Sequence, residues 1–280
     1  MQRQRRPTVG APFAFEPEVI EETKRRIAFS LLATNLVILG LSAASGYFLA
    51  GKTLDPIKKM VEEQKEFVGN ASHELRTPLT SLKTEIEVAL RDKKLTLPEA
   101  KRFLASNLEE VDKMQKLSNY LLTLNKFQSG EESLTFASVN LDDVVKEAVK
   151  KVEKMAKVND INIISKLQPT KVRGNKNSLI ELTTILLDNA IKYSPKGKNV
   201  EVRVKKGRVL EVQDLGVGIA EKDLPYIFDR FYRADSSRSK VRIDGYGLGL
   251  SIAKSIVDLH QGKIEVESKL GKGSTFRVQI

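Results

Sequence analysis

The sequence predicts a membrane-anchored protein of several domains: one transmembrane helix, an all-α helical hairpin that pairs into a dimeric four-helix bundle, and an α+β sandwich domain. Three observations support this prediction. Residues 27–51 contain no charged side chain, two long amphipathic helical patterns follow them, and strands alternate with helices from about residue 133. The 280 residues suffice for about two domains with attachments.

Composition narrows the possible chemistry. The chain has no cysteine, which excludes disulfides and thiolate metal sites. An apolar fraction of 41% is enough for a packed core. The net charge of +11 is compatible with a solvated basic surface or with attraction to anionic lipid or nucleotide phosphate, and composition alone leaves both open.

The charge-free segment 27–51, IAFSLLATNLVILGLSAASGYFLAG, predicts a transmembrane helix. A membrane span needs about 20 mostly apolar residues, which this segment exceeds. A buried helix of a soluble protein is the alternative, and the run is too long for the apolar part of a signal peptide. We therefore expect a short extramembrane segment at 1–26, the span at 27–51 and a linker helix at 52–66.

The first helix after this linker carries His73 away from its apolar side. His73 falls roughly opposite the apolar stripe, Thr77 shares its face, and Glu74 lies about a quarter-turn round. Pro78 removes one main-chain hydrogen bond and is expected to bend the helix. The stripe comprises Phe67, Ala71, Leu75, Leu79, Leu82 and Ile86.

A second amphipathic helix ends near Gln128-Ser129-Gly130. Two helices with one narrow apolar stripe each bury too little surface alone, so residues 67–130 predict a domain that dimerises as a four-helix bundle. The apolar face of this second helix comprises Leu104, Leu108, Val111, Met114, Leu117, Leu121 and Leu124.

Residues 131–280 predict the α+β sandwich, with helices on one face of a sheet. The predicted helices are Leu141–Val158, Asn177–Tyr193 and Leu248–His260. The predicted strands are Leu134–Val139, Ile161–Leu167, Val200–Val204, Val209–Val212, Lys263–Val266 and Thr275–Ile280.

Three glycine clusters punctuate this domain: Asp214-Leu-Gly-Val-Gly218, Gly245-Tyr-Gly-Leu-Gly249 and Gly271-Lys-Gly-Ser-Thr275. A single cluster is weak, because glycine turns are common. The second one precedes a helix, so its glycines allow close backbone approach and the helix start offers free N–H groups to phosphate. Neither a P-loop nor a Rossmann fingerprint is present, so a nucleotide site here is of another kind.

Several polar residues have both a structural and a ligand-binding interpretation. Asp214 could cap a turn or accept a hydrogen bond from the adenine amine, and Asn189 offers a neutral oxygen suited to Mg²⁺. Lys192 could be solvated or meet phosphate, and Tyr193 could be a core aromatic or stack on a base. The polar run 233–244 is typical of a mobile loop that could close over phosphates.

These motifs together resemble the sensor histidine kinases of bacterial two-component systems, over about residues 52–280. His-Glu-Leu-Arg-Thr-Pro-Leu79 resembles the phosphoacceptor box of HisKA-type domains. Asp-Asn-Ala-Ile-Lys-Tyr193, Asp-Leu-Gly-Val-Gly218, Phe-Asp-Arg-Phe231 and Gly-Tyr-Gly-Leu-Gly249 resemble the N, first glycine, F and second glycine boxes of the Bergerat-type ATP-binding domain. The five motifs occur in the family's order.

The resemblance implies a protein-histidine kinase that uses ATP and Mg²⁺. His73 would accept the γ-phosphoryl group on Nε2, Glu74 would orient the ring and take its other proton, and Thr77 would place a water for dephosphorylation of the partner. Asn189 would hold Mg²⁺ and Asp214 would bind the adenine amine. The implied ATP site comprises Asn189, Lys192, Tyr193, Asp214, Gly216, Gly218, Ile219, Arg233, Gly245, Gly247, Leu248 and Gly249.

Two departures from the family pattern matter. Ile185 stands where the family often has a second asparagine, and where ATP-hydrolysing relatives of the fold have a water-activating glutamate. Simple hydrolysis of ATP is therefore disfavoured. The metal site also has one potential protein ligand fewer. Only about twenty residues separate the apolar run from His73, too few for a HAMP relay domain.

The implied partners are a second copy, the receiver domain of a response regulator and membrane lipid, with no direct contact to nucleic acid. The implied location is the inner membrane with the catalytic part in the cytoplasm, where ATP is present. The basic residues that flank the apolar run mildly favour a cytoplasmic N-terminus instead. A non-catalytic ATP-binding scaffold and a hydrolytic ATPase are the alternative functions.

Overall fold

A computed structural model of the chain describes residues 17–129, 135–234 and 245–280. The chain divides into two units, Met1–Glu66 and Phe67–Ile280. The described part of the first unit is entirely helical and belongs to helix α1, whose bounds are Pro17–Arg91. By length and composition alone, this is the one described helix that is apolar enough to cross a membrane, and its most apolar window is exposed.

The second unit begins with a helical hairpin. Its first arm is the remainder of α1, and its second arm is helix α2, Leu97–Ser129. Helix α1 continues through Pro78, which is itself buried, so the proline does not end the helix. Thr96 caps α2, because its main-chain N–H and its hydroxyl both donate to the Glu99 carboxylate.

The apolar stripe predicted for α1 divides into two. Phe67, Leu75 and Leu82 are partly buried, whereas Leu79 and Ile86 are about half exposed. Helix α2 shows the same division. Leu117 and Leu124 are buried in this single chain, whereas Leu104, Leu108 and Val111 on the same face are exposed.

The rest of the second unit is an α+β sandwich, as predicted. Its helices are α3 (Leu141–Val158), α4 (Lys176–Tyr193) and α5 (Gly249–Leu259), with a short 3₁₀ helix at Leu224–Tyr226. Its strands are β1 (Ala137–Asn140), β2 (Asn162–Leu167), β3 (Lys171–Gly174), β4 (Asn199–Lys205), β5 (Val209–Gln213), β6 (Lys263–Lys269) and β7 (Gly273–Gln279).

Five strands form one sheet in the order β2-β4-β5-β7-β6, in which β2 and β4 are parallel and the other pairs are antiparallel. Strands β1 and β3 form a separate antiparallel pair. Strand β3 was not predicted, and β1 ends one residue later than expected. Leu134, the predicted start of β1, lies outside the described residues.

The two faces of the large sheet differ in chemistry. Alternate residues of β4 and β5 face the helices and are fully buried, among them Val202 and Val212. On the opposite face the Glu211 carboxylate is buried beneath Arg203, Lys205 and Arg277. Burial raises the pKa of Glu211, but hydrogen bonds from these cations outweigh it and hold the pKa below its usual value. The three helices therefore cover only the apolar face.

Candidate active site

Asp214 lies directly after β5 and is buried. Its Oδ1 accepts hydrogen bonds from the main-chain N–H groups of Gly216, at 2.8 Å, and Ser274, at 3.2 Å. Burial raises the pKa of this carboxyl, and the two main-chain donors oppose that shift. Asp214 thus caps a turn. Because both hydrogen bonds use Oδ1, the other carboxylate oxygen, Oδ2, is left for a ligand.

The first glycine cluster packs against the end of α4. The N–H of Val217 donates to the Tyr193 carbonyl over 3.2 Å. A Cβ atom on Gly216 would lie 2.3 Å from that carbonyl oxygen, so only glycine fits there. This contact brings Asp214 close to the helix end that carries Asn189 and Lys192.

The end of β6 and the third glycine cluster, which was predicted only as a turn, support the loop after Asp214 from the side opposite α4. Gly218 has a φ of 68°, and a Cβ there would meet the Lys269 carbonyl oxygen at 2.1 Å. The Ser268 hydroxyl accepts from the N–H of Ile219 over 2.8 Å. Ser268 and Ser274 therefore hold the loop after Asp214, a role that sequence reasoning missed because it depends on strand pairing between β6 and β7.

The predicted residues at the end of α4 differ in their surroundings. Asn189 is half-buried, and no described protein group hydrogen-bonds its side chain. The Lys192 ammonium pairs with the Asp188 carboxylate one helical turn earlier. Tyr193 is 44% exposed, so its side chain is not a core aromatic.

The second glycine cluster is joined to the F box through the backbone. The N–H of Phe231 donates to the Gly247 carbonyl over 3.0 Å. Gly247 has a φ of 71°, and a Cβ there would lie 2.6 Å from the Tyr232 carbonyl oxygen. The glycine at 247 is thus required by packing, whereas a Cβ on Gly245 would meet nothing within 4 Å.

Helix α5 begins at Gly249 without a side-chain cap, and the buried Leu248 precedes it. The first N–H groups of an uncapped helix are free to bind an anion. Ile185 of α4 packs against this start, since a Cβ on Gly249 would be 3.4 Å from its Cγ2. The start of α5 therefore packs against an apolar side chain of α4. Arg233 is exposed, and the predicted loop 233–244 lies outside the described residues from 235 onwards.

His73 and Glu74 are exposed on α1, as the helical phase predicted. The Thr77 hydroxyl donates to the His73 carbonyl over 3.3 Å, which keeps it on the same face. The described residues contain no group of three or more acidic or histidine side chains that could hold a metal ion alone.

The sandwich domain contacts the hairpin near the acceptor box. The Phe67 ring lies 5.9 Å from the Phe231 ring, and the Arg230 guanidinium lies 5.1 Å from the centre of the Phe67 ring. The Tyr246 hydroxyl donates to the Lys113 carbonyl on α2 over 3.0 Å. Residues of the F box and of the second glycine cluster are therefore anchored to the hairpin.

Two family models match the second unit and its flank. The model of the His Kinase A phospho-acceptor domain matches residues 63–130, and that of the histidine kinase-, DNA gyrase B- and HSP90-like ATPases matches residues 174–280. The sensor histidine kinase RppB of Synechocystis is 34% identical over 261 residues, which cover 91% of this chain. The chain spans only 57% of that relative's length.

Solved structures agree with the fold. The Acinetobacter baumannii histidine kinase AdeS matches 74% of this chain and 96% of its own, with a TM-score of 0.59 and 26% identity. The histidine kinase ThkA in complex with response regulator protein TrrA matches 80% of this chain and 63% of its own, with a TM-score of 0.61. At 21% identity, the second likeness concerns the fold alone.

Proposed function

Because the chain belongs to the sensor histidine kinases of two-component systems, we propose that it transfers the γ-phosphoryl group of ATP to His73 and then to an aspartate of a response regulator. The observation that carries this proposal is the presence of both family domains in one chain. An exposed histidine stands in the acceptor domain, and a buried Asp214 with an uncapped helix start stands in the ATPase-like domain.

The chemistry at His73 is a displacement at phosphorus. The Nε2 lone pair forms an N–P bond as the bond between the γ-phosphorus and its bridging oxygen breaks, and ADP leaves with that electron pair. Glu74 takes the Nδ1 proton, so the product is a neutral-ring phosphoramidate. The aspartate oxygen of the regulator then attacks the same phosphorus, the electron pair of the N–P bond returns to Nε2, and Glu74 gives the proton back to Nδ1. Such transfers depend mainly on positioning and charge neutralisation.

Each part of the ATP site has a role in this proposal. Asp214 Oδ2 accepts from the adenine amine, while its Oδ1 stays bound to the loop. Lys192 and Arg233 neutralise phosphate charge, and the N–H groups after Leu248 bind phosphate oxygens. The remaining implied residues shape the cavity through backbone and apolar contact: Tyr193, Gly216, Gly218, Ile219, Gly245, Gly247 and Gly249.

Mg²⁺ fits this site as an ion that the protein and the nucleotide coordinate together. Asn189 is half-buried without a described partner, and its side-chain oxygen is a suitable ligand. The ion would neutralise charge that develops on the phosphates. One neutral protein ligand suffices where substrate phosphates and water supply the rest.

Dimerisation accounts for the apolar surface of the hairpin. Leu79 and Ile86 on α1, together with Leu104 and Leu108 on α2, are exposed in one chain. Pairing with a second hairpin would bury them in a four-helix bundle. We include the homodimer in the proposed function, with the receiver domain of a response regulator as the second partner.

Membrane anchoring is the proposed role of residues 27–51. The most apolar window of α1 has a mean hydropathy of 2.0 and is wholly exposed, which suits a lipid environment. The catalytic part then lies in the cytoplasm of the cell, at the inner membrane, because ATP is its substrate. We also propose that the protein dephosphorylates its regulator, with the Thr77 hydroxyl placing the attacking water.

Self-labelling with γ-labelled ATP tests the kinase. The chain has only two histidines, and both ring nitrogens of His260 are engaged within the fold. We expect acid-labile, base-stable label that His73→Gln abolishes and His260→Gln retains. Acid-stable label, or undiminished label in His73→Gln, would exclude this function.

Two other functions predict different results. A non-catalytic scaffold would bind ATP without any label on His73. A hydrolytic ATPase would release phosphate without labelled protein, and Ile185 opposes it because an isoleucine cannot activate water. Asn189→Asp is expected to lose ATP binding, since a carboxylate there repels the phosphates. Full-strength ATP binding by that variant would remove Asn189 from the metal site.

A further inference from the structure

A pocket lies on the small β1–β3 sheet, apart from the residues assigned to ATP and to the acceptor histidine. It has a volume of about 330 Å³, at the lower end of the range for small-molecule sites. The half-buried Phe136 provides its apolar part. The remaining lining is dominated by cations.

Three basic side chains line this pocket. Lys171 and Arg173 are two residues apart on β3 and therefore share one side of the strand, and Arg208 comes from the turn between β4 and β5. Ser138, which pairs with Arg173 across the two strands, adds a hydroxyl.

These cations are not neutralised within the described protein. No ion pair or side-chain hydrogen bond among the described residues involves Lys171, Arg173 or Arg208. By contrast, Lys166, Arg203, Lys205 and Arg277 of the large sheet all pair with carboxylates. Among the residues that the structure describes, no acidic side chain lines the pocket. Three clustered like charges repel one another, so a bound anion would relieve that repulsion.

The backbone conformation of Arg208 is a second feature of this pocket. Arg208 has a φ of 62°, in the left-handed region that glycine and asparagine adopt most easily. Its carbonyl accepts from the N–H of Ile280 over 3.2 Å, which fixes the turn. The turn therefore holds the main chain of Arg208 beside the pocket that Arg208 lines.

We propose that this pocket binds a phosphate-bearing ligand. Guanidinium groups bind phosphate oxygens in bidentate fashion, and a lysine adds a point charge. Three cations match the charge of a diphosphate better than that of a single carboxylate. The same chemistry would fit a soluble diphosphate or the phosphate of a lipid headgroup.

Pyrophosphate is the soluble probe. The full chain is placed in nanodiscs of phosphatidylcholine, with the ATP site filled by a non-hydrolysable ATP analogue, and pyrophosphate binding is measured by calorimetry. Arg173→Gln/Arg208→Gln should weaken binding at least about tenfold, because two charge-assisted contacts are lost. The control Lys196→Gln/Lys198→Gln removes the same charge at exposed sites outside the pocket and should change binding less than about twofold.

Lysine acetylation distinguishes the two sources of phosphate. Lys171 is exposed, so a bound ligand should slow its acetylation relative to the exposed Lys198, as read by mass spectrometry. Slowing by pyrophosphate in phosphatidylcholine nanodiscs identifies a soluble ligand. Slowing by phosphatidylglycerol nanodiscs without pyrophosphate identifies a headgroup. Either result supports the proposal if Arg173→Gln/Arg208→Gln abolishes it.

The proposal is overturned if neither condition protects Lys171. Where pyrophosphate protects Lys171, the proposal is also overturned if the double arginine variant, folded by circular dichroism, binds pyrophosphate as tightly as the unaltered protein. Lys171→Gln provides a second variant with the turn intact, and unchanged pyrophosphate binding by it would equally exclude the pocket. None of these measurements depends on phosphorylation of His73.

Discussion

The Tyr246 hydroxyl donates a hydrogen bond to the Lys113 carbonyl over 3.0 Å and so joins the second glycine cluster to helix α2. Phe67 adds a second contact, since its ring meets both Phe231 and Arg230. Described residues before and after the segment 235–244 are therefore tied to the hairpin that carries His73.

Tyr246→Phe should loosen this docking while the ring stays in place. One hydrogen bond contributes about 0.5–1.5 kcal/mol, so the undocked fraction should rise about two- to tenfold. Faster hydrogen exchange in α2 around Lys113 would report it. Tyr226→Phe is the matched control, because Tyr226 is 51% exposed and its ring packs on Tyr232. Equal exchange in both variants would contradict the tether.

Asp214→Asn should lose ATP affinity without loss of fold. The asparagine oxygen can still accept from Gly216 and Ser274, but its amide nitrogen would oppose the adenine amine. We expect ATP to bind at least about tenfold more weakly by calorimetry, since a charge-assisted hydrogen bond is lost.

Asp214→Ala tests whether the hydrogen bonds to Oδ1 stabilise the loop. It leaves the buried N–H groups of Gly216 and Ser274 unpaired, which costs about 1–3 kcal/mol for each group. Its unfolding free energy should therefore fall well below that of Asp214→Asn. If the two variants were equally stable, the hydrogen bonds to Oδ1 would not support the loop.

Gly273→Ala should be strongly destabilising. Gly273 has a φ of 91°, and a Cβ there would lie 2.2 Å from the Asp214 carbonyl oxygen. Gly271→Ala is a matched control two residues away, with a φ of 77° and nothing within 4 Å of its Cβ. The control should lose about 1 kcal/mol of unfolding free energy from backbone strain alone. Gly273→Ala should lose clearly more, and equal losses would contradict the close packing.

The sequence predicted what depends on local pattern. Helix α3 lies at the predicted Leu141–Val158, and α4 begins one residue early, because strong 3.6-residue periodicity marks buried helices. Strand β3 was missed because its four residues contain one buried apolar side chain, Val172, and no alternation long enough to recognise.

The supports of the site could not be predicted in the same way. Ser268 and Ser274 act through the β6–β7 register, which only the folded sheet defines. The steric requirement for glycine at 247 comes from the Tyr232 carbonyl, which is distant from the glycine cluster in the sequence.

His260 should make stability depend on pH. Its Nδ1–H donates to the Ile256 carbonyl, and Nε2 accepts from the N–H of Asn175, the residue that caps α4. Burial lowers the pKa of His260 below its usual value of about 6.5.

The direction follows from proton binding. Below about pH 6.5 the unfolded chain binds a proton at His260 that the folded protein excludes, so the unfolding free energy should fall as the pH drops through that value. His260→Gln removes this contribution, and the difference in unfolding free energy between the two proteins should shrink from about pH 7.5 to about pH 5.5. A difference independent of pH would show that His260 does not titrate between the two states.

Thr77→Ala should separate the two proposed activities. The Thr77 hydroxyl is exposed and bonded only to the His73 carbonyl, so alanine preserves the helix. Autophosphorylation should stay within about twofold, whereas dephosphorylation of the regulator should slow about tenfold or more, because a positioned water is lost. Thr84→Ala is the control, since its hydroxyl makes the same type of bond, to the Thr80 carbonyl over 2.8 Å, two turns away. It should leave both rates unchanged. If Thr77→Ala lowered both activities together, the role of Thr77 would be structural.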